Sequence, residues 1–289
     1  MPRAPRLPLL SKPSAMKVGG WVSASGGKME ARIFQVDAFT SRRFAGNPAA
    51  VMLLEAFAED GVLQSLAEEN NLAETAFLVP EGEDYRIRWF TPTVEVPLCG
   101  HATLAAAAVV MERLETSRRE LVFGSASGPL AVRRSGPGYV MDFPVRRCRA
   151  AEPPPGLAGA LATALVETVW DGFNFLVRLA SADAVRALAP DLAAIGRMPC
   201  AGVIATAAGD GGHDFVSRYF APAKGIPEDP VTGGAHCALA PYWADRLGKT
   251  EFRAFQASPR GGELRCRLRG DRVELEGNCV FYLEGLARW

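Results

Sequence analysis

Histidine is scarce in this chain, with only three in 289 residues, at His101, His213 and His236. None is spaced with Cys or acidic residues as a metal site needs, so no metal is expected. The six cysteines, Cys99, Cys148, Cys200, Cys237, Cys266 and Cys279, include no CxxC pair, and the sequence carries no secretory segment. Reduced thiols and a cytoplasmic location are the expectation. Neither sign of charge dominates, because Lys plus Arg and Asp plus Glu both total 32. No overall field favours nucleic acid or a membrane as partner. No phosphate-binding glycine motif follows a strand, so no cofactor is expected either. Acids are also missing before Glu30, where Pro2, Pro5, Pro8 and Pro13 recur among Gly, Ser and basic residues. That composition reads as a disordered extension over residues 1–29.

The chain does have enough length and apolar content for about two domains: 48% of its residues are hydrophobic. It also has an internal repeat. RIRWFTPTVEVPLCGHATLAAAAVVM at 86–111 returns, altered, as VSRYFAPAKGIPEDPVTGGAHCALA at 216–240. Arg88, Trp89, Phe90 and Pro92 match Arg218, Tyr219, Phe220 and Pro222; after three inserted residues, Pro97, Gly100 and Ala102 match Pro230, Gly233 and Ala235. Each copy reads as a strand, a Pro-marked loop and a Gly that opens a helix. The run from Ala102 to Met111 is apolar on every side, as a fully buried helix would be. Its counterpart from Ala235 to Leu247 contains Pro241, which removes a backbone donor and predicts a kink.

Glycine at a helix start lets a ligand approach the backbone, and the free amides and dipole of that turn attract an anion. The copies differ where chemistry would lie: Cys99 against Thr232, His101 against Gly234, and Asp229 where the first copy has Val96. A symmetric scaffold with asymmetric polar residues points to a site between the two halves.

Along the chain, strands are expected over 32–39, 50–54, 120–123, 129–133, 139–143, 173–179, 202–206, 214–220, 252–256, 263–268, 272–275 and 279–283. A helix over 60–70 takes Asp60 as its N-cap, another spans 157–167, and Ser181 caps a third. Pro144 and Pro153-Pro154-Pro155-Gly156 mark a boundary, giving domains over 30–145 and 146–289 with the last strand free to pair back onto the first. Glu74 opens an apolar stretch, Thr75 to Val79. Two readings stay open for it: a solvated carboxylate at a strand end, or a desolvated base with a raised pKa.

Phe34-Gln35-Val36-Asp37-Ala38-Phe39 with Gly46-Asn47-Pro48, Ala73-Glu74-Thr75-Ala76-Phe77, Pro97 to Thr103 and Glu228 to Gly233 stand in an order that resembles the PhzF-like isomerases. The resemblance spans about residues 32–289. It implies an α+β fold of two pseudo-symmetric domains, each a twisted β-barrel around a central helix, as in diaminopimelate epimerase. It also implies Glu74 as catalytic carboxylate, His101 and Asp229 as helpers in proton transfer, and Gly100, Gly233, Gly234 and Asn47 at the substrate. Gly234 departs from the Ser of many relatives, so a hydroxyl near the substrate is missing. The expected activity is a cofactor-independent isomerisation of a small carboxylate-bearing metabolite by a homodimer. Two alternatives stand beside it: a two-thiol racemase using Cys99, whose repeat partner Thr232 is too weak an acid for that role and whose neighbour Cys237 lies a helical turn too far, and a binding module that kept the scaffold without the activity.

Overall fold

The computed structural model describes residues 29–289; apart from Met29, the extension expected over residues 1–29 lies outside the described residues. Among them, eighteen strands join in one sheet, and its ladders are laid out twice. In the first copy Glu30–Ala38, Asn47–Leu53, Glu74–Glu81, Asp84–Phe90, Glu120–Ser125, Gly128–Ser135 and Gly138–Pro144 pair in that order. In the second, Glu167–Trp170, Asn174–Arg178, Gly202–Ala208, Phe215–Ala221, Glu251–Gln256, Gly262–Arg269 and Arg272–Gly277 do the same. Both copies are antiparallel except between their second and third and their fourth and fifth strands. A parallel pair needs a crossover, and helices supply it.

The copies meet where Gly138–Pro144 pairs with Arg272–Gly277, Asp142 opposite Glu274. The strand after each copy then crosses over: Arg149–Ala150 pairs with Glu167–Trp170, and Cys279–Arg288 pairs with Glu30–Ala38. Each arc wraps one central helix, and among the described ladders the arcs join each other rather than closing separately. The repeat reaches side chains as well. Arg88 donates from Nε and Nη2 to Glu95 at 2.8 and 2.7 Å, and Arg218 donates the same way to Glu228 at 2.7 and 2.8 Å. Those equivalent forks put Asp229, one residue past Glu228, opposite Val96.

The first central helix, Gly100–Val109, is buried from His101 to Val109, and its alanines let strands pack against every face. It ends in a π-helical turn, Val110–Leu114. The second, Gly233–Leu247, continues through Pro241. A proline at 241 leaves the carbonyl of Cys237 without its helical donor. The backbone N–H of Arg146 takes its place at 2.9 Å, which ties the segment linking the two copies to the second helix.

Two expectations need correcting. The helix expected over 157–167 stops at Leu161, because Ala162 turns left-handed (φ 51°). Residues 167–170 form a strand instead, as their Thr168 and Val169 favour. Asp60 does not cap its helix; Glu59 precedes the first turn without a side-chain bond, and Asp60 pairs with Arg88 at 2.9 Å. Ser181 does cap, accepting from the Ala184 N–H at 3.1 Å. Among the described residues no helix is long and apolar enough to cross a membrane.

The first strand ends at Phe39, where the backbone turns left-handed (φ 61°) and buries the ring completely. The ring fits because residue 277 has no side chain: a Cβ there would sit 2.3 Å from Phe39 Cδ1. Gly277→Ala should therefore destabilise the protein by about 1–3 kcal/mol through overpacking. Urea unfolding checks this, and an unchanged midpoint would show that the core relaxes around the methyl group.

Candidate active site

The central helices aim their first turns at each other. A Cβ added to Gly100 would lie 4.0 Å from Gly233 Cα. Neither N-cap residue, Cys99 or Thr232, bonds its side chain to the turn it opens. The carbonyls of those two residues are held from within: Thr103 Oγ1 donates to Cys99 O at 2.6 Å, and at the equivalent place His236 Nδ1 donates to Thr232 O at 2.8 Å. His236 thus has a structural bond, and burial lowers its pKa to about 4. The first-turn amides of both helices face a cavity of about 460 Å³. Two converging dipoles with free donors favour an anion there. Crystals soaked in sulfate should show density between Gly100 and Gly233; density confined to the outer surface would overturn that expectation.

Glu74 is the first residue of its strand, set opposite Ala49 in the parallel ladder, and is only 8% exposed. Its Oε2 lies 3.1 Å from Nε2 of His101, which is 4% exposed. Neither of these two atoms has a hydrogen-bond partner, although the Glu74 carboxyl also meets the Cys99 thiol. A buried polar atom left unpaired costs free energy, so a pair of them at a cavity wall marks a place made for something else.

Asn47 fixes the other side of the imidazole. Its amide nitrogen donates to Asp229 Oδ1 at 2.7 Å and to Val231 O at 2.9 Å, and lies 3.1 Å from His101 Nδ1. Two oxygen acceptors settle which end of the amide is nitrogen. Nδ1 therefore faces the amide nitrogen, and the ring also donates to the Pro48 carbonyl. Burial lowers the His101 pKa to about 3, so the ring is neutral.

Both carboxyls are pushed above their usual range. Burial is the chief cause for Glu74, whose pKa rises to about 8, and the charge of Asp229 adds to it. Burial also raises Asp229, opposed by hydrogen bonds from Thr232 and Asn47. Asp229 keeps part of its surface open to the cavity. Thr232 Oγ1 donates to Asp229 Oδ2 at 2.5 Å, and Gln256 donates to Asp229 O at 2.7 Å while accepting from the Thr232 N–H at 2.9 Å.

Glu74, His101, Asp229, Asn47, Gly100, Gly233 and Gly234 all reach this one place: five line the cavity with a side chain or a helix start, Gly234 lines it too, and Asn47 binds His101 and Asp229 from behind. Cys99 lines it as well, with its sulfur 3.4 Å from His101 Nδ1. Cys237, expected a helical turn too far to share the point Cys99 reaches, has its thiol turned away from it. It borders the same cavity, although its thiol turns back to donate to Gly233 O at 3.5 Å. Burial raises the pKa of Cys99 strongly and that of Cys237 to about 12, so both stay thiols. Donor atoms of Glu74, Cys99 and His101 lie within 4.8 Å of one another, a grouping that spacing in the sequence does not reveal. Glu74 meets Nε2 while Cys99 meets Nδ1. Arg146, Lys224 and Gln256 were not anticipated; Lys224 lies in the loop of the second repeat copy, Arg146 and Gln256 fall in no motif, and only folding brings all three here.

Residues 36–285 match the family model described as phenazine biosynthesis-like protein, PhzC-PhzF. The chain belongs to that family. Two Pseudomonas aeruginosa proteins, each named an uncharacterized isomerase, are 50% and 51% identical to it, covering 89% and 90% of this chain and 98% and 99% of theirs. The human phenazine biosynthesis-like domain-containing protein is 40% identical over 89% of this chain and 99% of its own. Among solved structures, a PhzF-family phenazine biosynthesis protein from Enterococcus faecalis superposes with a TM-score of 0.87 at 43% identity, covering 90% of this chain and 99% of that one. A hydroxyproline epimerase from Agrobacterium vitis shares the fold alone, with a TM-score of 0.55 at 11% identity. The family places this chain among isomerases.

Proposed function

We propose that the protein moves a proton between carbons of a small carboxylate-bearing metabolite without a cofactor, with Glu74 as the acid/base. The observation that carries this is the buried Glu74 carboxyl, with its Oε2 unpaired beside a neutral His101, at the wall of the cavity between two helix starts. The amides at and after Gly100 and Gly233 hold the substrate carboxylate and stabilise the negative charge that develops when a neighbouring C–H is broken. Ionised Glu74 takes that proton. Its raised pKa makes the resulting acid able to return the proton at a second carbon, which leaves the enzyme as it began. His101 walls the carboxyl at 3.1 Å, and Asp229 shares the proton traffic and adds its charge to burial in raising the Glu74 pKa. Asn47 holds both helpers in place.

A thiol mechanism is disfavoured because burial keeps Cys99 and Cys237 protonated. The test is a panel of small unsaturated and amino carboxylic acids in deuterated water, read by NMR for deuterium entering C–H positions. At least one acid should exchange. The reading fails if none does, or if Cys99→Ala abolishes exchange while Glu74→Gln leaves it as in wild type.

A further inference from the structure

Glu74 and His101 lie at the buried floor of the cavity, while its rim carries Arg146, the exposed Lys224 and Phe173, which is 58% exposed. Most cations here are engaged: Arg88, Arg218 and Arg246 each bind a carboxylate. Among the described residues, Arg146 and Lys224 make neither an ion pair nor a side-chain hydrogen bond. Asp171, whose charge reaches Lys224, takes its hydrogen bonds elsewhere, accepting from the N–H groups of Phe173 and Asn174 at 2.8 and 2.5 Å and from Asn174 Nδ2 at 2.8 Å.

Arg146 is nonetheless held in place. Its backbone N–H is fixed on Cys237 O at 2.9 Å, and its guanidinium lies over the Phe173 ring, 4.9 Å from the centroid. Stacking of this kind orients a guanidinium while leaving its N–H donors free. Residue 234 has no side chain to cover it: a Cβ there would lie 3.7 and 3.9 Å from the two terminal guanidinium nitrogens. The fork therefore faces the cavity from beside the second helix start. Two cations in no ion pair, with Asp171 and Asp229 the acids whose charges reach Lys224, stand above a floor that already offers amides to one anion and leave a second anionic position open. The volume of about 460 Å³ falls in the range of pockets for drug-sized ligands, larger than a bare two- or three-carbon acid would fill.

We infer that the substrate carries two acidic groups: the helix starts hold the one beside the reacting carbons, and Arg146, assisted by Lys224, grips the other at the rim. The inference rests on the cavity being the substrate site of the proposed isomerase. A planar fork meets a carboxylate or a similar oxyanion with two parallel hydrogen bonds, so Arg146 selects for the far group as well as binding it.

The test measures binding, not turnover. Straight-chain dicarboxylates from malonate to adipate are titrated into the protein by calorimetry, each against the monocarboxylate of the same carbon number. In wild type at least one dicarboxylate should bind about tenfold or more tighter than its monoacid, as one charge-assisted pair allows. Arg146→Met should bring that ratio close to one while leaving monoacid binding within a few-fold, and Arg146→Lys should keep part of the preference. Lys224→Met, on an exposed turn, should lower the ratio by a smaller factor and serves if Arg146→Met does not fold. Equal binding of mono- and dicarboxylates by wild type overturns the inference. So does a preference that survives Arg146→Met, or a parallel loss of monoacid binding, which would put Arg146 on the same carboxylate as the helix starts. Deuterium exchange decides the proposed reaction separately, so a flat ratio with intact exchange sinks only the second anionic site.

Discussion

Glu74→Gln should lower isomerase turnover by about 10²–10⁴-fold, the usual cost of losing a general base, and should make the folded protein more stable above neutral pH. The two effects share one cause. A carboxyl in a nearly dry wall is poorly solvated as an anion, the property that would make Glu74 an efficient base. The folded state therefore holds its proton more tightly than the unfolded chain does, with a pKa near 8 against the ordinary 4.5. A group raised in this way contributes its full stability below the unfolded pKa and loses it as pH rises through the folded one. The window is thus roughly pH 4.5 to 8, and within it wild type should weaken relative to a glutamine variant that has no proton to lose. With Glu74 almost wholly enclosed, the difference at pH 8–9 should be on the order of 1–3 kcal/mol in favour of Gln. Urea midpoints at pH 5 and pH 9, together with deuterium exchange at both, measure it. A variant that exchanges like wild type would remove Glu74 from the mechanism; one that gains no stability at pH 9 would mean the carboxyl is better solvated than its surroundings indicate.

The floor of this site was legible in the sequence because the fold is duplicated. Aligning Arg88-Trp89-Phe90 with Arg218-Tyr219-Phe220 put Gly100 opposite Gly233 and singled out Asp229 as the unpaired acid, and the matching Arg88–Glu95 and Arg218–Glu228 forks give that alignment its physical basis. Glu74 stood out because a charge opening an apolar strand needs a reason. The rim was invisible. Arg146 follows Phe143-Pro144-Val145, an ordinary strand end, and reaches the cavity only because Pro241, nearly a hundred residues later, leaves the Cys237 carbonyl free for its N–H. Gln256 closes a strand with no motif around it and still holds the start of the second helix through Thr232 and Asp229. Such bonds join segments distant in sequence, and no local pattern encodes them. The helix expected over 157–167 failed for the converse reason: its apolar spacing suited a helix, but pairing of Glu167–Trp170 with Asn174–Arg178 won.

Asp229→Asn should shift the acid limb of the pH–rate profile to lower pH as well as slow the reaction. Asp229 faces Glu74 across the cavity, and its charge is the second cause, after burial, of the raised Glu74 pKa. Removing that charge while keeping the shape lets Glu74 ionise more easily. The substitution is well tolerated by its neighbours. Asn47 Nδ2 can go on donating to the side-chain oxygen, now an amide, and the Thr232 hydroxyl, which donates to Oδ2 in the parent, can turn to accept from the new N–H₂. The kcat/KM of the free enzyme follows ionised Glu74, so it falls as pH drops through the Glu74 pKa; with Asn at 229 that fall should begin at a lower pH. The plateau should drop in parallel by about 10²-fold or more, because one proton-transfer group is gone. The limb and the plateau separate the two roles of Asp229. A limb that moves down over a lowered plateau fits a residue that both tunes Glu74 and shares its protons, and a limb that moves down over an unchanged plateau leaves tuning alone. A limb that stays in place, or moves up, would show that Glu74 does not feel Asp229 and that burial alone raises it.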